Sequence, residues 1–400
     1  AGNHSFGIAL SSGDWNADGR TDLAVGASGI SSSAGSVYVF YNDGSIPTVY
    51  SSADVTITGG ASGDLFGSMT VAGDWNADGR TDLAVGASGY STNTGRVYLF
   101  YNDGSIPTTA ATADVIITGG ATSDLFGTSL VSGDWNADGK TDLAVGASGY
   151  SSSTGRAYIF YNDGSIPTTA ATADVMITGE VASGNFGASL VCGDFNFDGK
   201  MDLAVGANGY VSGTGRVYIF ASQNGQVNTN VNLVGEATNN NFGYAMVSGD
   251  FNFDGRVDLV IGSYGYSSST GRAYLFYNDG SIPTTAATAD VIITGETTSN
   301  FFGTSLVSGD WNADGRTDLA VGAYGYSTNT GRAYIYETRD NFAWQLQSVP
   351  SLTGGLRTNP SFSGQELKMT GEAGTGKFGG SMISGDWNAD GRTDLVVGAS

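Results

Sequence analysis

The chain has 400 residues, 63 of them glycine and only 6 proline, with one histidine, one cysteine and a net charge of −22. A single cysteine excludes an internal disulfide framework, and the acidic balance excludes nucleic acid and anionic membranes as main partners. No apolar run is long enough to span a bilayer as a helix.

The first element is a Phe-Gly pair at Phe6, followed eight residues later by Asp14 of "SGDWNADGRTDLAVGA" (12–27). The pair returns at Phe66, Phe126, Phe186, Phe242, Phe302 and Phe378, and the aspartate at Asp74, Asp134, Asp194, Asp250, Asp310 and Asp386. Seven units thus fill residues 1–400 as one domain, because units of this length bury a core only by stacking on their neighbours. In the second unit four strands are expected, at 68–75, 82–88, 96–102 and 114–119, joined by turns rich in Gly, Ser, Asn and Asp. Four short strands per unit, seven units over, predict an all-β fold, a seven-bladed β-propeller. A solenoid is the competing architecture, but its end units should read as caps, and these do not.

In Asp14-Trp15-Asn16-Ala17-Asp18-Gly19-Arg20-Thr21-Asp22, side-chain oxygens fall at positions 1, 3, 5 and 9, with glycine at 6 and a backbone carbonyl offered at 7. Calcium takes such a set of hard oxygen ligands, and the glycine allows the loop to turn sharply. Position 12 is Val25, not a bidentate glutamate, and the flanks read as strands, so the loop is no EF-hand. Asp, Asn and Gly also make ordinary turns. Seven copies that keep the same acids while the spacer changes from Trp-Ala to Phe-Phe favour calcium. Magnesium prefers a rigid octahedron, and zinc lacks ligands in a chain with only His4 and Cys192.

The expected ligands are Asp14, Asn16, Asp18, Arg20 and Asp22; Asp74, Asn76, Asp78, Arg80 and Asp82; Asp134, Asn136, Asp138, Lys140 and Asp142; Asp194, Asn196, Asp198, Lys200 and Asp202; Asp250, Asn252, Asp254, Arg256 and Asp258; Asp310, Asn312, Asp314, Arg316 and Asp318; and Asp386, Asn388, Asp390, Arg392 and Asp394. The cation at position 7 serves through its carbonyl. Seven Ca²⁺ ions would reduce the net charge to about −8, an ordinary value for a soluble protein.

Phe-Gly, then Asp-x-Asn-x-Asp-Gly-x-x-Asp, then "DLAVGA" resembles the FG-GAP repeat of integrin α-subunit head domains and related bacterial surface proteins. The resemblance covers the whole chain. It implies a seven-bladed propeller with calcium in the hairpin between the first two strands of certain blades, here in all seven. Where the family name expects Gly-Ala-Pro, this chain has Gly26-Ala27-Ser28, Gly206-Ala207-Asn208 and Gly262-Ser263-Tyr264.

Twelve of the sixteen cations sit at two fixed repeat positions, seven at loop position 7 and five at the start of the third strand, which leaves no basic patch. The start at Ala1 suggests an upstream segment removed or not included, and a large calcium requirement suits an extracellular setting, so a secreted or cell-surface protein is expected. His4 has no expected orienting partner, Cys192 reads as a packing residue and the loop carboxylates are committed to metal, so the chain is expected not to be an enzyme. An adhesion, binding or structural assembly module is the expected function, with a protein or glycan ligand at the cell surface; the alternative is a lectin that uses Tyr90, Tyr150, Tyr210, Tyr266 and Tyr326, which recur in the loops opposite the metal hairpins. Inter-blade packing is the favoured reading of those tyrosines, ahead of a ligand role. Unit six carries an insertion, 337–372, with Trp344 as a candidate partner contact. Unit seven stops after its second strand, so two outer strands are expected from sequence beyond this chain or from a neighbouring molecule, the second route implying self-association.

Overall fold

A computed structural model describes residues 5–47, 49–223, 226–338, 367–372 and 376–399. The first blade is an antiparallel sheet of Phe6–Gly13, Asp22–Ala27, Ser36–Phe40 and Val55–Thr58, in chain order from first to last. The second repeats it as Phe66–Gly73, Asp82–Ala87, Arg96–Phe100 and Val115–Thr118, close to the expected strands. Its first strand begins two residues earlier than the sequence suggests. Phe66 pairs with Ala87 across a register shift before Met69, so the Phe-Gly pair is a bulge at the strand's start, not a linker.

Six such four-stranded sheets form, and this corrects the expectation of seven blades. The last repeat contributes only a two-stranded sheet, Ser381–Gly385 with Asp394–Gly398, set between the sixth blade and the first. No third strand flanks Asp394–Gly398 among the described residues. Four of its five residues are only partly buried, whereas the second strands of the six full blades are buried throughout. Most of the insertion, with Trp344, lies outside the described residues, as does His4; its end forms the strand Leu367–Thr370 of blade six.

The core lies between blades, not within them. Val97 and Leu99 of blade two pack with Phe126, Leu143, Val145, Tyr158 and Phe160 of blade three, and the same partition recurs around the ring. In blades two to six the Phe of the Phe-Gly pair meets the third-strand aromatics of its own blade edge-on, as Phe126 does with Tyr158 at 5.4 Å and with Phe160 at 6.3 Å, whereas Phe6 is tilted against Tyr38. Trp387 of the short sheet packs among Leu23, Val25, Tyr38 and Phe40 of blade one, which closes the ring.

Two hydrogen-bonded belts run between first strands. Ser132 Oγ donates to Ala72 O, Cys192 Sγ to Ser132 O, Ser248 Oγ to Cys192 O and Ser308 Oγ to Ser248 O. In the second belt Ser129, Ser189 and Ser305 donate to the Phe-Gly glycine carbonyl of the following repeat, and Ser381 donates to Gly7 O across the closure. Cys192 is thus one link of a belt, and burial pushes its thiol up to about 11, away from nucleophilic use.

Blades also touch through a recurrent parallel bridge, as where Gly95 pairs with Phe126. Gly95 has φ +83, and a Cβ there would meet Phe126 O at 2.1 Å and its N at 2.4 Å. Gly63 is equally left-handed, with φ +86, yet a Cβ there meets nothing within 4 Å. Gly63→Ala should therefore cost about 1 kcal/mol of backbone strain. Gly95→Ala should cost about 3 kcal/mol or more, because the bridge itself must open. Urea unfolding midpoints of the two variants check the difference.

Candidate metal loops and the face opposite

Each acidic hairpin joins the first strand of a repeat to its second. In the first loop Asp14 Oδ1 accepts the amide of Asp18 at 3.1 Å and Oδ2 that of Gly19 at 2.9 Å. Asn16 Oδ1 accepts Asp18 N–H at 3.0 Å, and Asp18 Oδ1 accepts Arg20 N–H at 2.9 Å. The same position 1 to position 6 bond recurs in every loop at 2.8–2.9 Å. Position 4 holds left-handed backbone in all seven, from φ 56 to 61, even where it is Phe197 or Phe253. A bulky residue in that region is strained, and a loop that keeps it seven times is shaped for something other than turn economy.

Position 9 differs from the rest. Asp22, Asp82, Asp142, Asp202, Asp258 and Asp318 are fully buried, at 0% exposure. Asp82 Oδ2 accepts Trp75 N–H at 2.8 Å, while Oδ1 accepts Asn102 N–H, also at 2.8 Å, just past the third strand. Asn102 in turn sends its side-chain amide to Trp15 O of the preceding repeat at 2.8 Å, as Asn162 does to Trp75 O and Asn278 to Phe195 O. The sequence offered these asparagines only as turn residues. Their recurrence after four of the six third strands, with Ser222 and Thr338 at the other two, is the signal that could have marked them as inter-blade ties.

Burial is the largest cause that raises the position 9 carboxyls above their ordinary range, and the other loop acids add to it in most repeats. Asp82, Asp142, Asp202 and Asp258 are pushed up to about 6, and Asp318 to about 7. The position 7 cations turn elsewhere: Arg20, Arg80 and Arg256 donate Nη1 to Asn42 O, Asn102 O and Asn278 O. The loop acids are engaged with the loop's own amides, and no group of three His, Cys, Asp or Glu stands ready as a metal cage among the described residues. The donor set nonetheless fits calcium in kind: oxygen only, three acids per loop, with further lone pairs on carboxylates that each accept an amide.

The five recurrent tyrosines open the turns between second and third strands, on the other face. Each ring lies under the arginine that begins the third strand: Arg96 over Tyr90 at 3.6 Å, Arg156 over Tyr150 at 3.7 Å, Arg216 over Tyr210 at 3.8 Å, Arg272 over Tyr266 and Arg332 over Tyr326 at 3.5 Å. Three of these arginines also pair with a glutamate of the blade before, Arg216 with Glu180, Arg272 with Glu236 and Arg332 with Glu296. One face of each tyrosine is therefore occupied by the scaffold.

A ring of antiparallel blades, each opened by Phe-Gly and each with an acidic hairpin between its first two strands, defines an integrin-like β-propeller module. The FG-GAP repeat model matches residues 6–40, 66–100, 126–160, 186–220, 242–276 and 302–336, and the chain belongs to the FG-GAP repeat family. It is 33% identical over 299 residues to phosphatidylinositol-glycan-specific phospholipase D of Bos taurus, across 68% of this chain and 35% of that protein. The Homo sapiens protein of the same name is 31% identical over 300 residues, 68% of this chain and 34% of its own length. Mouse integrin alpha-IIb is 35% identical over 156 residues, 36% of this chain and 15% of that protein. The chain thus spans about a third of the phospholipases it matches. Their name overturns the expectation that the chain is not an enzyme, since the relatives matched over two thirds of its length are enzymes by name.

Asp142→Ala should cost about 3 kcal/mol even in chelator, because it strips the partners from the buried amides of Trp135 and Asn162, and more in calcium, where it also removes a proposed ligand. Asp138→Ala, at an exposed position, should change stability only when calcium is present. Urea unfolding of both variants in calcium and in chelator separates the two roles.

Proposed function

We propose that the chain is a calcium-stabilised, extracellular, integrin-like propeller that acts as an adhesion, binding or assembly module. The observation that carries this reading is the repeated hairpin, seven times the same oxygen donors at the same end of the repeat, with a buried carboxylate at position 9 in each of the six blades. Positions 1, 3, 5 and 9 would hold the ion through side chains and position 7 through its carbonyl. Calcium supplies charge neutralisation and a cross-link within the hairpin. The protein's own part is to hold the loop in its left-handed turns and to tie position 9 to the third strand. The calcium demand suits millimolar extracellular supply, and among the described residues no helix is long and apolar enough to cross a membrane.

The similarity to the phospholipases favours a second reading, in which the chain is the propeller of a larger lipid-cleaving enzyme and contributes to its action on a phosphatidylinositol-glycan. Binding of a phosphatidylinositol-glycan by this chain, measured with and without calcium, would support it; no binding leaves the adhesion or assembly module as the reading.

A site held at one hundred times its dissociation constant adds about 2.7 kcal/mol, so several sites together rival the about 5–15 kcal/mol of a whole domain. Excess EGTA should lower the melting temperature sharply, and added calcium should restore it. A melting curve unmoved by chelator would remove the metal from this account.

A further inference from the structure

Repeats that are otherwise near copies depart at four positions, and the departures meet in space. Tyr244 follows the Phe-Gly of repeat five, where Ser68, Thr128, Ala188 and Thr304 stand in four sister repeats and Ile8 in the first. Tyr264 and Tyr324 follow the second strands Asp258–Ser263 and Asp318–Ala323, where Ser28, Ser88 and Ser148 stand elsewhere. Phe301 precedes the Phe-Gly of repeat six, in the place of Leu65 and Leu125. All four sit at the blade end opposite the acidic hairpins.

Tyr244 and Tyr264 meet edge-on with centroids 4.6 Å apart, Tyr264 lies 6.0 Å from Phe301, and Phe301 stacks on Tyr324 at 5.0 Å with 9° between planes. Lys377 Nζ is 6.0 Å from the Tyr324 ring, is exposed, and is one of only four cations off the repeat pattern. The Phe301 ring also covers Gly325, where a Cβ would come within 2.4 Å of it, so the ring is held in place. Tyr244 remains 42% exposed, and the other three rings are half-buried. The fold does not require this cluster, since sister blades close with serine, threonine or leucine at the same places.

The surface is amphipathic. Rings give flat apolar area, while the hydroxyls of Tyr244, Tyr264 and Tyr324 have no hydrogen-bond partner among the described residues. Burial raises all three phenols above their ordinary range, which keeps them protonated and able to donate. An apolar peptide or an acyl chain would leave those hydroxyls unused, whereas a sugar ring offers C–H faces to the aromatics and hydroxyls to the phenols and the ammonium. We propose that Tyr244, Tyr264, Phe301, Tyr324 and Lys377 form a saccharide-binding platform. The proposal rests on the binding-module reading above and names its ligand class and its place, away from the arginine-covered tyrosines.

The test is a printed array of mono- and oligosaccharides probed with the calcium-loaded full chain, followed by calorimetry on the best saccharide. Saturable binding to one sugar class is expected. The combined variant Tyr244→Ser, Tyr264→Ser, Phe301→Leu and Tyr324→Ser borrows residues the sister blades already use, so it should melt in calcium as the parent does while it binds about tenfold more weakly or worse. Tyr264→Phe, which keeps the ring and removes the hydroxyl, should lose part of the affinity, and it serves as the probe if the combined variant folds poorly. No saccharide bound, equal affinity in Tyr264→Phe and the parent, or capture of a polypeptide that sugars do not displace would each overturn the platform. Melting in chelator is read on the same samples, so failure of the calcium reading and failure of the sugar reading are told apart.

Discussion

The buried carboxylate at position 9 is the constraint on which the rest of a full blade depends. Its two oxygens hold the hairpin between first and second strands to the end of the third, as Asp142 does with Trp135 and Asn162. A carboxylate taken out of water without a cation is costly, and here burial raises five such groups to about 6 or 7. The same residue is one of the proposed calcium ligands. A bound cation would offset the burial that the hydrogen bonds impose, so blade architecture and metal chemistry meet in one side chain.

Closure is the second constraint. Because each core is shared by two blades, no repeat is complete without its neighbour, and the serine belts carry the same dependence along the first strands. Among the described residues the join between the last repeat and the first is made by a two-stranded sheet. Trp387 among the side chains of blade one and the bond from Ser381 to Gly7 hold that join. Its strand Asp394–Gly398 is less buried than its counterparts, which makes this the least covered sector of the ring among the described residues.

Much of this was legible from local sequence. The spacing of Phe6, Phe66 and Phe126 set the repeat, and the strand expected at 82–88 is present as Asp82–Ala87, buried throughout. What escaped were relations between distant residues. That Asn102 ties its blade to Trp15, or that Arg96 lies over Tyr90, needs the blade's twist and neighbours, which no window of sequence contains. The convergence of Tyr264 and Tyr324, sixty positions apart, on Phe301 is of the same kind. The count of blades misled because the last repeat carries the full motif and its first two strands, and its outer two were expected to be supplied from elsewhere, whereas this chain forms six four-stranded sheets and one two-stranded sheet. The enzyme name of the relatives had no local signal either, since this chain matches only about a third of their length.

If the acidic hairpins are calcium sites that complete the fold, the ions they hold can be counted. Native mass spectrometry of the intact chain, titrated with calcium from a chelated start, should show stepwise uptake toward seven ions, and Asp138→Ala should lower the final count by one. A chain that stays folded and takes up no calcium across the millimolar range would contradict the account.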